Sequence, residues 1–206
     1  MGGEGMFGLL RKVESWLGTF RMSQHPAVWA LAEKITIASL TCAESLKPYI
    51  RAPDGKARTV CWWSVTCEFL YLFMHMANRY AFKHLGHARG CKFQNEIYPL
   101  IVSPVIEAIF GHWPPHRKDG IRREFLENLN NSEVEYSTCT YFESGDPSSQ
   151  TDVFPKFASN VCGLLGVEKS DTAGYTTTFI KIAELFRAAS EEVKLDEAIV
   201  AVGKEL

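Results

Sequence analysis

Four polar side chains are set into the most apolar part of this chain. The run Cys61–Met76, CWWSVTCEFLYLFMHM, contains Ser64, Glu68 and His75, and Arg79 follows three residues later. At about 100° per residue, all four fall within roughly 40° of Glu68 on a helix. The rest of that cylinder carries Trp62, Trp63, Val65, Phe69, Leu70, Phe73, Met74, Met76 and Tyr80. A helix apolar over most of its circumference belongs at the centre of its fold. Its single polar stripe then has three readings. It can face water as an ordinary surface row. It can be buried and paired with polar groups on neighbouring helices. Or it can line a pocket in which Glu68 or His75 acts on a ligand, a metal or a proton.

Metal chemistry asks for more than this stripe offers. Di-iron carboxylate bundles use Glu-x-x-His, which puts both groups on one ion, and the chain has no such step. Glu68 and His75 lie seven residues apart, roughly 10.5 Å along a helix axis. Glu44 and Glu107 would have to complete the site from other helices. A second set, His84, His87 and Cys91, has the spacing i, i+3, i+7 and ligand types that zinc accepts. Gly86 and Gly90 argue against a continuous helix there, and histidines near a helix C-terminus also suit its dipole. His112 and His116 flank Trp113-Pro114-Pro115 and read as loop residues.

Other chemistries leave no trace. G-x-S-x-G, H-E-x-x-H, G-x-x-x-x-G-K-[ST] and G-x-G-x-x-G are all missing from the 206 residues. Lys+Arg number 22 against 24 Asp+Glu, for a net charge of -2. That balance excludes the basic footprint of a general nucleic-acid binder and gives no polybasic patch for lipid. Hydrophobic content of 46% with 22% charged residues excludes global disorder. Tyr, Phe and Trp total 12%, a modest excess that points to packing or a protein partner.

The elements that must hold these residues are helical throughout. Apolar spacing of three and four places Phe7, Leu10, Val13, Trp16, Leu17 and Phe20 on one side of a first helix over 6–20. A second runs over 27–46, closed by Pro48 and the turn Ala52-Pro53-Asp54-Gly55. The third, 58–85, carries the stripe and ends near Gly86 and Gly90. Residues 93–110 contain Pro99 and Pro104 and predict a kinked or split helix. A loop is expected over 111–120, then helices over 121–141, 153–165, 172–189 and 195–202. The segment 143–151, rich in Gly, Asp, Pro and Ser, is the clearest exposed loop. The fold class expected is therefore all-α: one domain over 1–206, with about seven to eight helices around a central helix near residues 58–85.

Cys42, Cys61, Cys67, Cys91, Cys139 and Cys162 form no C-x-x-C pair and sit in apolar surroundings. The opening residues Met-Gly-Gly-Glu-Gly lack the basic and apolar regions of an export signal. Met6 stands where a myristoylation motif needs Ser or Thr. These features predict a cytoplasmic protein with six free thiols, in which the sequon Asn130-Asn131-Ser132 has no meaning. The apolar run is too short and too polar for a membrane span. The function expected is a non-enzymatic binding or interaction module with a protein partner or self-association and no cofactor. The alternative is a small-ligand or metal-binding bundle, conceivably an enzyme, that uses Ser64, Glu68, His75 and Arg79. Burial of the stripe separates the two.

Overall fold

The computed structural model describes Ser15, residues 25–139 and residues 152–206. Helix α1, Pro26–Leu46, starts with proline in its first turn, where the missing N–H costs nothing. It buries Val28, Leu31, Ala32, Ile35, Leu40 and Leu46, and a short 3₁₀ turn, Lys47–Tyr49, ends it. Helix α2, Gly55–Phe110, is opened by Asp54, whose carboxylate accepts from Ala57 N at 2.8 Å. Helices α3 (Pro115–Ser137), α4 (Val153–Leu164), α5 (Thr172–Val193) and α6 (Leu195–Val202) follow. No strand occurs among the described residues, so the all-α class holds. Within them no helix is long and apolar enough to cross a membrane.

A straight helix of 56 residues would be about 84 Å long. That is roughly twice the diameter of a domain of this size. The chain avoids it at Gly86, which has φ 76° and ψ 176°. Only glycine adopts that conformation readily. Beyond Gly86 the helix runs back along itself. Phe82 packs over Gly90, Asn78 Nδ2 donates to Tyr98 Oη at 2.6 Å, and Trp63 meets Phe110 at 5.2 Å. These pairs step outward from the turn, as they must in an antiparallel helical hairpin. A Cβ on Gly90 would come within 2.7 Å of the Phe82 ring. That glycine lets the two rods approach.

The central role expected for 58–85 is kept. The first rod buries Trp62, Val65–Met74, His75, Ala77, Asn78 and Ala81, and the other helices pack around the hairpin. Phe69 and Phe157 of α4 meet edge to face at 4.9 Å, and Phe73 lies 5.8 Å from Phe186 of α5. Helix α6 sits beside the hinge, where His84 bonds Asp196 at 2.6 Å and Arg89 donates to Gly203 O at 2.8 Å.

Three expectations need correction. The count of seven to eight helices is not met among the described residues. The spans 58–85 and 93–110 are one helix folded on Gly86, and 6–20, save Ser15, lies outside the described residues. Pro99 and Pro104 do not split the second rod, because Phe93, Ile97, Ile101, Val105 and Ile109 anchor it into the core on both sides. The loop expected over 111–120 is shorter, because Pro115 starts α3 at a position that needs no N–H. The expected loop 143–151 falls outside the described residues, which resume at Asp152, leading into α4.

Candidate functional site

The polar stripe divides along its length. Arg79 is exposed and Ser64 half-buried, while Glu68 is only 8% exposed and His75 only 2%. Glu68 and His75 do not share a partner. Each meets a different residue of α3, whose buried face repeats as Phe125, Leu129, Ser132 and Tyr136. That spacing carries Tyr136 over the first rod of α2.

Tyr136, fully buried, donates its hydroxyl to Glu68 Oε1. Asn160 of α4 donates to the same oxygen at 3.0 Å and to Glu135 Oε2 at 3.2 Å. Glu135 is held from its other side by Lys156 at 2.6 Å. Burial pushes the Glu68 carboxyl above the ordinary glutamate range, against the two hydrogen bonds that favour its charged form. Burial and the neighbouring Glu68 also push the Tyr136 hydroxyl far up, so it remains a donor. Both bonds to Glu68 end on Oε1. No described residue donates to Oε2.

His75 belongs to a separate network. Its Nδ1 lies 2.6 Å from Glu133 Oε2, and Glu133 Oε1 accepts from Asn78 Nδ2 at 2.7 Å. Burial raises the Tyr98 hydroxyl, which closes this network, to about 12. His75 Nε2 and Asn78 Oδ1 are buried without a hydrogen-bond partner. The imidazole stands 5.5 Å from the Tyr136 ring, so the two networks touch through that ring and share no hydrogen bond.

Glu68 also borders a cleft of about 790 Å³ between α2, α3 and the end of α4. Its floor is Cys67, Glu68 and Tyr71, all buried. One wall is aromatic: Trp63 and Phe110 meet edge to face, and Phe110 lies 5.1 Å from Trp113. Val60, Val134 and Leu164 stand at the rim, exposed by 57%, 69% and 38%. The two ends of the hairpin build this wall together, since Trp63 lies near the start of the first rod and Phe110 closes the second. Ser64 borders the cleft as well; His75 and Arg79 do not.

No protein-family model, curated protein or solved structure matches this chain.

The metal sets are not assembled. Gly86 separates His84 from His87 and Cys91, so the face expected from i, i+3, i+7 spacing is broken. His84 turns to Asp196, while His87 Nε2 lies 3.8 Å from Cys91 Sγ. Glu44 pairs with Lys47 at 2.6 Å and Glu107 with Lys118 at 2.7 Å, each away from Glu68. Among the described residues no three His, Cys, Asp or Glu are grouped to hold a metal ion. Sequence reasoning found Glu68 and His75 and missed their partners, Tyr136 and Asn160 for the first and Glu133 for the second. The available signal was a tyrosine at the end of an otherwise apolar helical face, whose hydroxyl requires a buried partner.

Proposed function

We propose that this protein is a binding module whose cleft takes up a small, largely apolar molecule, with Glu68 as the polar anchor. The observation that carries this reading is the half-satisfied carboxylate. Both bonds from the described residues end on Oε1; Oε2 takes neither and is not among the atoms sealed from solvent without a partner, so it is left to whatever occupies the cleft that Glu68 borders. Ligand sites have this composition, a mostly apolar and aromatic lining with a few placed polar groups, and volumes of about 300–1,000 Å³. Three exposed aliphatic side chains at one mouth add to it, because contiguous exposed apolar surface marks a binding region. The same cleft can serve the interaction reading, with a partner's side chain as the guest. The buried side of the cleft offers few polar groups, Glu68 with Ser132 and Tyr71, which favours the small molecule.

A ligand-observed NMR screen of small fragments tests this directly. Fragments should bind the parent protein and lose binding to Ser64→Trp, which fills the cleft from its wall. Native mass spectrometry of freshly purified protein should show added mass where a ligand is carried along. Fragments that bind Ser64→Trp as well as they bind the parent would place binding elsewhere and end the proposal.

A further inference from the structure

Negative side chains dominate the described lining of the cleft, with Lys156 on Glu135 and Arg117 against Trp113 standing beside it. Among the described residues its ionisable side chains of Asp, Glu, Lys, Arg or His type are Glu68, Glu124 and Glu135, with no cation among them. Glu135 is already neutralised by Lys156, and Glu124 lies exposed at the mouth. Glu68 is the carboxylate at depth, and its Oε2 is open to a donor. The rings of Trp63, Tyr71 and Trp113 also line the cleft, and aromatic faces attract cations.

From these features, and resting on the cleft reading given above, we propose that the ligand is an organic cation: an ammonium group on an apolar body, donating to Glu68 Oε2. A carboxylate ligand would meet two unneutralised carboxylates. A neutral alcohol would form one ordinary hydrogen bond. An ammonium forms a charge-assisted one and relieves a carboxylate that burial leaves poorly solvated. Its binding should also strengthen as pH rises through the titration of Glu68, because only the ionised group attracts it. The groups facing that carboxylate are the neutral Tyr136 and Asn160 and the paired Glu135 and Lys156, while Glu124 stands at the mouth. Lys156 is held protonated by Glu135, so it does not supply the transition.

Three probes of matched shape separate the outcomes: 4-phenylbutylamine, 4-phenylbutanol and 4-phenylbutyrate, titrated calorimetrically into the full chain near neutral pH. The amine should bind about tenfold more tightly than the alcohol, as expected for a charged against a neutral hydrogen bond, and the carboxylate should bind most weakly. Glu68→Gln should remove the amine's advantage over the alcohol, and a urea melt of the variant reports that it is folded. Equal binding of amine and alcohol to the parent overturns the cation and leaves the cleft reading standing. Retention of the amine's advantage in Glu68→Gln overturns Glu68 as its anchor. Failure of all three probes to bind overturns both.

Discussion

Replacing Glu68 measures what a half-satisfied carboxylate does to this fold. In Glu68→Ala the hydroxyl of Tyr136, on a fully buried residue, loses its acceptor. A stranded buried donor costs about 1–3 kcal/mol. One buried methylene, Cγ, is lost too, at about 0.8 kcal/mol. Water entering through the cleft can take up the Tyr136 proton, which holds the hydroxyl's part to the low end. The expected loss is about 2–4 kcal/mol. Glu68→Gln behaves differently. It keeps an oxygen where Tyr136 and Asn160 donate, and it removes the charge. Because burial raises the Glu68 carboxyl, the folded protein holds a proton there after the unfolded chain has released its own. Stability from this group is fully present below the unfolded value of about 4.3. It is lost as pH rises through the folded value. The glutamine never acquires the charge. Relative to the parent it should therefore gain stability between about pH 4.5 and pH 8. Urea melts followed by tryptophan fluorescence at those two pH values measure both variants. A difference between Glu68→Gln and the parent that does not change with pH would refute the desolvation account. A loss below about 0.5 kcal/mol in Glu68→Ala would mean that the Tyr136 bond adds nothing.

Glu133→Ala should cost about 1–3 kcal/mol in the same melts, because it strands His75 Nδ1 and removes an acceptor of Asn78, both buried. Arg79→Ala, on the exposed end of the stripe, should change stability by about 0.5 kcal/mol or less. Gly86→Ala meets no atom within 4 Å, so its loss, about 1–3 kcal/mol, comes from backbone conformation alone. Gly120→Ala, on helix α3 with equal room around it, should instead gain about 0.5–1 kcal/mol. Thiol titration in denaturant without reductant should count six free thiols, with buried Cys42, Cys67 and Cys162 reacting slowest in native protein; burial pushes the Cys42 thiol up to about 12. Limited proteolysis should cut first within 143–151, and the fragments should stay together through Phe69 and Phe157; fragments that separate and stay folded would mean two domains.

The helical class was legible because apolar residues recur at helical spacing in every described element. The stripe was legible too, since a glutamate and a histidine inside an apolar run have few places to go. Its division was not. Whether Glu68 or Arg79 is buried depends on where α3 crosses the first rod, and Tyr136 and Asn160 lie 68 and 92 residues along the chain from Glu68. Sequence spacing cannot express such a contact. The hairpin escaped for another reason. Gly86 reads as a terminator, and a reversal normally shows several turn residues; here one glycine suffices, so no loop composition announces it. Pro115 shows the opposite ambiguity. It looks like part of a loop together with Pro114, yet proline is as welcome at a helix start as in a turn.

The hinge at Gly86 makes the second rod a lever arm. From Gly86 to Phe110 the arm is about 36 Å long. Turning it by one degree would move its tip by about 0.6 Å. The aromatic wall of the cleft stands at that tip, facing Trp63 at the root of the other rod. The cleft's width is thus geared to an angle set at the far end of the hairpin, where Arg89 and His84 tie the arm's pivot to the last helix. Substitutions around that pivot can retune what the cleft admits without touching any residue that lines it.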